Sequence, residues 1–448
     1  MKNDFVFYRD FKHYHPIVER GEGIYIYDKN GKKYIDACSG ALVSNLGHGI
    51  KEIAEAIYEQ AQKIAFAHLS MLVSEPAIEL ALLLKDLAPG DLNYTWFVSG
   101  GSEAVESAIK LARQYFLERD SEKSSKYKII GRWNSFHGNT LGALAIGGHI
   151  SRRKPYIPMF MEFPHINPHY CYRCPFKLEY PSCDLRCAFE LEDVVKREGA
   201  QYIAAFIAEP VVGATVGALV PPPEYWPIVR EICDKYDILL IADEVMTGLG
   251  RTGENFAVNH WKVIPDMIVL GKGMSAGYSP LAGVIVSEKI TETIKKGSGR
   301  FIHGHTYGGN PLSCATGVAV LKYILKHNLI ENVKNMGAYL ETLLRKDLCE
   351  IPIIGDIRGI GLMWGIEIVK DKNTKEPFPR SVNAISKVTN ILTEMGLLVY
   401  PGSGAADGIR GDHFMIAPPF TLKEEEAIEI VHLLREGLKK ASEILLRE

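Results

Sequence analysis

Most specialised classes of protein are excluded by what this sequence has too little of. Eight cysteines in 448 residues are too sparse for a disulfide scaffold. Fifty-one basic against 54 acidic side chains leave a formal net charge of -3, so neither sign is in excess to attract nucleic acid or an anionic membrane. Long apolar runs are missing: the least charged stretch, residues 202–223, is broken by Glu209, Pro210, Gly213 and Gly217. The opening Met1-Lys2-Asn3-Asp4-Phe5 lacks a basic region followed by an apolar one, so no secretory signal is expected and the default compartment is cytoplasmic. The 41 glycines show no collagen-like period, and no repeat or low-complexity tract appears. What remains, 47% hydrophobic and 23% charged, is an ordinary globular chain with core enough for two or three domains.

The few cysteines are unevenly spread. Cys171, Cys174, Cys183 and Cys187 follow a Cys-x2-Cys-x8-Cys-x3-Cys spacing, with His165 and His169 just upstream. Four soft ligands on short loops suit a tetrahedral ion, which makes a small zinc knuckle the sharp reading. The plainer one is a Pro-rich surface excursion whose thiols pack locally. The second gap is shorter than zinc modules use, so the plainer reading is preferred and no metal is expected. Residues 165–188 read as an insertion.

Short apolar runs alternate with amphipathic stretches through the middle of the chain, the pattern of βαβ units on a mostly parallel sheet. Strands are expected at 95–98, 128–132, 203–208, 238–242, 267–270 and 283–286, and helices at 103–117 and 227–236. In the first helix Val105, Ile109, Ala112 and Phe116 recur at helical spacing. Residues 25–28 and 33–36 form an expected hairpin around Asn30-Gly31. From about Thr316 onward come a long helix, a β segment at 357–369, a helix at 382–395 and a final helix at 422–446. The fold class is therefore α/β: a large domain over 61–320, with a smaller α+β domain built from both chain ends, 1–60 and 321–448.

Polar residues collect at the ends of the expected strands, where open α/β sheets bind ligands. Ser99-Gly100-Gly101-Ser102 opens a helix, and small residues there let backbone amides approach an anion. A tight turn with Ser102 as N-cap is the alternative. The run 238–242 ends in Asp243 and Glu244, carboxylates that need a cationic or protonated partner if buried. Lys272, hemmed by Gly271 and Gly273, ends the next strand, and a lysine so placed serves as a Schiff-base amine or simply snorkels. It lies 29 residues after Asp243, one strand–helix–strand unit, so both reach one cleft. Ser135-Phe136-His137-Gly138 places an aromatic ring after a strand, where it stacks on a planar ligand or fills a turn. Phosphate cup, buried anion, reactive lysine and aromatic ring together describe a pocket for pyridoxal phosphate.

These residues also resemble the class III pyridoxal-phosphate aminotransferases of fold type I. The likeness runs from residues 40–49 to Ala417-Pro418-Pro419 and is most specific in Ala242-Asp243-Glu244-Val245, Gly250-Arg251-Thr252-Gly253 and Gly271-Lys272-Gly273. It implies that Lys272 is the Schiff-base lysine and proton shuttle and that Asp243 pairs with the pyridinium nitrogen. Val245 and Phe136 would pack on the two ring faces, and His137 and Glu209 would lie beside the cofactor. Gly101 and Ser102 would hold the phosphate, with Thr306 reaching it from a neighbouring subunit, so a homodimer or a tetramer with shared sites is implied. Ornithine and γ-aminobutyrate transaminases carry a glutamate where Ala214 stands, so the resemblance leans toward the ω-amine and β-amino-acid:pyruvate branch. There Arg410 is the candidate for the substrate carboxylate, and Leu42, at a position often Trp, implies a roomier pocket. The cysteine insertion resembles a subgroup associated with β-amino-acid and 3-aminobutyryl-CoA transamination. The expected function is ping-pong amino transfer to a keto acid such as pyruvate. A 2-oxoglutarate-dependent relative, an aminomutase and a zinc-binding interaction protein are the alternatives.

Overall fold

The computed structural model describes residues 5–12, 15–121 and 124–447. Its centre is a seven-stranded sheet in the order Leu92–Val98, Ala282–Ser287, Met267–Leu270, Leu239–Asp243, Ile203–Ala208, Lys128–Arg132 and His165–Ile166. The last five run parallel, and Ala282–Ser287 is antiparallel to both its neighbours. Residues in the central strands are buried throughout, which is why they read as unbroken apolar runs and not as alternating ones.

The period of two still decides what covers each face. Ile207, Ile241 and Val269 pack with Val105, Ala108, Ala112 and Phe116 of helix Gly101–Arg119. Phe206 and Leu240 point the other way, against Leu191 of helix Arg186–Glu198 and Val229 of helix Tyr225–Lys235. Truncating a fully buried ring such as Phe206 costs about 3–5 kcal/mol in such a core.

Both chain ends meet in the smaller sheets. The hairpin Tyr25–Asp28 and Lys33–Asp36 turns through Gly31 at φ 79°, with the Asp28 carboxylate accepting from the amides of Asn30 and Lys32. Leu397–Leu398 then adds in parallel beside Lys33–Asp36, joining distant parts of the chain in one sheet. A second sheet runs Ile354–Ile360, Met363–Ile368, Asp412–Ile416 and Tyr400–Ser403, antiparallel throughout. The single long helix expected after Thr316 is two helices, Pro311–Lys326 and Leu329–Leu348. The first starts earlier because Asn310 caps it, accepting from the Ser313 amide, with Pro311 at the first helical position. The break falls at Asn328, whose left-handed φ of 50° no continuous helix tolerates.

The cysteine segment sits against this second sheet. Tyr170 and Arg173 both donate to Glu367, which also receives Arg358. Burial alone would raise the Glu367 carboxyl, but Arg358 and Arg173 hold it below its usual range. No helix among the described residues is long and apolar enough to cross a membrane.

Candidate active site

Four adjacent parallel strands and one helix N-terminus bring the expected residues to one end of the large sheet. Asp243 is the last residue of Leu239–Asp243 and is only 3% exposed. Its Oδ2 lies 2.7 Å from His137 Nδ1, and its Oδ1 accepts from the Val245 amide at 3.2 Å. A carboxylate this buried would be costly alone, and these two donors offset much of that cost. His137 Nε2 is itself buried with no hydrogen-bond partner among the described residues.

Lys272 follows Met267–Leu270 on a tight turn, at φ 43°, a strained conformation for a side chain of this size. Burial pushes its ammonium down to about 8. Asp243 and Glu209 oppose that shift, and the charge of Arg152 adds to it. All three groups therefore act on the same nitrogen. Near neutrality a useful fraction of the amine is unprotonated, the state in which it attacks a carbonyl or accepts a proton. Glu244, which follows Asp243, is raised to about 7 by burial, against the Thr247 hydroxyl and the amides of Val258 and Ala257.

Helix Gly101–Arg119 begins without a side-chain cap at Gly100, so its first amides have no partner from that position. The Ser102 hydroxyl accepts from the Asn139 amide at 3.0 Å, which leaves its own hydrogen free to donate. Glycine is required opposite it: Gly138 has φ 142°, and a Cβ there would stand 2.5 Å from Ser102 Oγ. Val245 fills the gap between the helix start and Lys272, because Cβ atoms built on Gly101 and Gly271 would lie 3.3 and 3.4 Å from its Cγ1.

Phe136 is placed by Glu209, whose Oε1 accepts from the Phe136 amide at 3.1 Å. Glu209 is in turn held by Arg132, which donates to its carbonyl at 2.6 Å and to its Oε2 at 3.4 Å. The structure thus joins Gly101, Ser102, Phe136, His137, Glu209, Asp243, Val245 and Lys272 in one cleft.

Three further expected residues lie outside this group within the chain. Leu42, at φ 60°, is buried in an apolar cluster with Val211, Ala218, Met363, Met415 and Ala417. Arg410 is half exposed and bound to Asp407 of its own turn, Nε to Oδ2 at 2.8 Å. Thr306 is exposed on a segment fixed to the outside of helix Gly101–Arg119, where His303 meets Ser107 at 3.0 Å. Two supporting residues were not anticipated, Arg132 and Arg152. Arg132 carried a signal, since a basic residue ending an apolar strand needs a buried acid, and Glu209 ends the next strand. Arg152 stood beside Arg153 with nothing in the sequence to tell them apart.

Away from this cleft, Cys171, Cys174, Cys183 and Cys187 are free thiols that line one small cavity of about 20 Å³. Burial, then the neighbouring thiols, push Cys187 up to about 12. Among the described residues no three His, Cys, Asp or Glu side chains are arranged to hold a metal ion.

The family model for class-III aminotransferases matches residues 7–438. An uncharacterised aminotransferase of Bacillus subtilis, YodT, is 42% identical over 434 residues, covering 97% of each chain. The putrescine–pyruvate aminotransferase of Pseudomonas aeruginosa is 33% identical, covering 96% of this chain and 92% of its own. Among solved structures, a thermostable (S)-enantioselective omega-transaminase from Thermomicrobium roseum superimposes with a TM-score of 0.91. It is 36% identical, covering 98% of this chain and 97% of that one.

Proposed function

The chain belongs to the class III aminotransferases, which depend on pyridoxal phosphate, and on that premise we propose that it moves an amino group from an ω-amine or β-amino acid, 3-aminobutyryl-CoA-like donors included, to a keto acid such as pyruvate. The observation that carries this reading is the combination of a complete Lys272–Asp243–Glu209 cleft with Ala214 in place of a carboxylate. The Ala214 carbonyl accepts from His413 at 3.0 Å, so the position is held by backbone and offers a substrate-binding arginine no anionic partner. The pyruvate-dependent activity named for the Pseudomonas aeruginosa relative supports the choice of acceptor. The alternative of a zinc-binding interaction protein falls with the family match.

The cleft fits pyridoxal phosphate on its own chemistry. The uncapped amides at Gly101 and Ser102 suit a phosphate, Asp243 suits a protonated ring nitrogen, and the Lys272 amine suits an aldehyde. When bound, the cofactor supplies an electron sink for the carbon that carries the amine. The chain's own residues do the rest. Asp243 would hold a proton on the ring nitrogen, with His137 keeping its carboxylate aimed. Phe136, fixed through Glu209 and Arg132, would pack on one side of the ring and Val245 on the other. Lys272 Nζ would take the proton from the amine-bearing carbon and return it to the carbon on the far side of the nitrogen, a task its lowered pKa suits.

Thr306 would complete the phosphate site of a second copy. It stands in an exposed apolar face with Tyr307, Ile302, Met71 and Leu72, the last four 62–83% exposed. A face of that kind favours cover by another chain, and a homodimer with shared sites is the assembly proposed.

Product analysis tests the substrate assignment. With β-alanine or putrescine as donor, pyruvate should yield alanine at least about tenfold faster than 2-oxoglutarate yields glutamate, a difference of ~1.4 kcal/mol between the two acceptors. The opposite ranking would overturn the acceptor.

A further inference from the structure

Beside Lys272 stands one arginine that no carboxylate among the described residues answers. Arg152 lies on the short helix Ile150–Arg153, and its guanidinium carbon stands 4.4 Å above the centroid of Phe136. It is close enough for its charge to act on Lys272. No salt bridge or side-chain hydrogen bond engages its guanidinium among the described residues, and it is only partly buried.

Four other arginines of the fold are engaged, and only the exposed Arg9 shares the open position of Arg152. Arg153 donates to the carbonyls of Leu144, Ala145 and Gly147. Arg132 holds Glu209. Arg251 donates to the carbonyls of Leu362 and Pro418. Arg410 is paired with Asp407.

An arginine stacked on a ring keeps its in-plane N–H groups free, and that fork matches a carboxylate. Arg152 also lines a cavity of about 540 Å³ with Asn139, Ser151, Pro155, Tyr156 and Arg9. That volume is in the range of small-molecule sites. A positive charge that acts on the reactive amine thus also borders open space of the right size. The uncapped start of helix Gly101–Arg119 already provides for a phosphate, so the guanidinium is not needed there.

We infer that Arg152, and not Arg410, receives the carboxylate of the amino-acid or keto-acid substrate, with the adjoining cavity taking the rest of the substrate chain. The inference rests on the amino-transfer reading given above. It makes Arg152 a specificity-determining residue: carboxylate-bearing substrates depend on it, and monoamines do not.

The test separates this assignment from that reading by measuring binding without turnover. Holoenzyme is titrated calorimetrically with propionate, an unreactive carboxylate, as wild type, Arg152→Ala, Arg152→Lys and Arg410→Ala. Affinity should fall about 10- to 100-fold in Arg152→Ala, the range for loss of a charge-assisted pair. Arg152→Lys should recover part of it, and Arg410→Ala should lose at least tenfold less. In steady state, Arg152→Ala should raise KM for β-alanine and pyruvate by a similar factor while kcat/KM for 1-propylamine falls at least tenfold less. Cofactor content of Arg152→Ala, read from absorbance, should match wild type.

An equal or larger loss in Arg410→Ala would overturn the assignment. So would unchanged propionate affinity in Arg152→Ala, equal losses for β-alanine and 1-propylamine, or loss of cofactor. Should propionate binding depend on Arg152 while no ω-amine or β-amino acid is consumed, the assignment stands and the donor class falls.

Discussion

Lys272→Ala should lower turnover on the order of 10⁴-fold or more, the upper range for removal of a general acid–base group that is also the nucleophile. The loss should come without unfolding. Alanine at φ 43° bears much the same backbone strain as lysine, and it removes an ammonium whose burial pushes it down to about 8. Thermal stability should therefore be equal to wild type or slightly higher. A small primary amine added at high concentration should restore part of the proton transfer, since the cavity left behind opens on the cleft. Turnover within about tenfold of wild type would remove Lys272 from the chemistry altogether.

The second large effect belongs to Asp243. Asp243→Asn keeps the shape of the side chain and its contacts with the Val245 amide and His137, but loses the charge. Removing one member of a buried charged pair costs about 3–5 kcal/mol, which corresponds to about 10²- to 10⁴-fold in rate if the loss is confined to the transition state. Cofactor should still bind, because phosphate and lysine contacts are elsewhere. A further sign follows from the electrostatics. The Asp243 charge raises the Lys272 amine, so its loss should let that amine titrate below its present value of about 8. Single-turnover proton abstraction at the wild-type rate, with the Lys272 titration unmoved, would refute the role.

The strands bearing these two residues were legible because burial on both faces leaves unbroken apolar runs, whose ends are marked by the first polar residue. Lys128–Arg132, Ile203–Ala208 and Met267–Leu270 agree residue for residue with the expected segments, and Leu239–Asp243 differs by one position. The break at Asn328 was missed because the apolar spacing continues across it, and only its left-handed backbone interrupts the helix. At the site, residues on strand ends could be placed from spacing alone. Arg152 could not, because its partner Phe136 precedes it by 16 residues on a different element. Its difference from Arg153 lies in three carbonyls that only the folded chain brings together. Arg410 is engaged locally, because Asp407, three residues earlier, holds it in the same turn.

The most direct measurement is the visible absorbance of the purified enzyme supplied with pyridoxal phosphate, followed through successive additions of substrate. A yellow band should be present, bleach on addition of β-alanine or putrescine, and return on addition of pyruvate. That sequence needs Lys272, Asp243 and the phosphate cup to act on one bound cofactor. A preparation that stays colourless with added cofactor, or a band that no donor bleaches, would contradict the account at its centre.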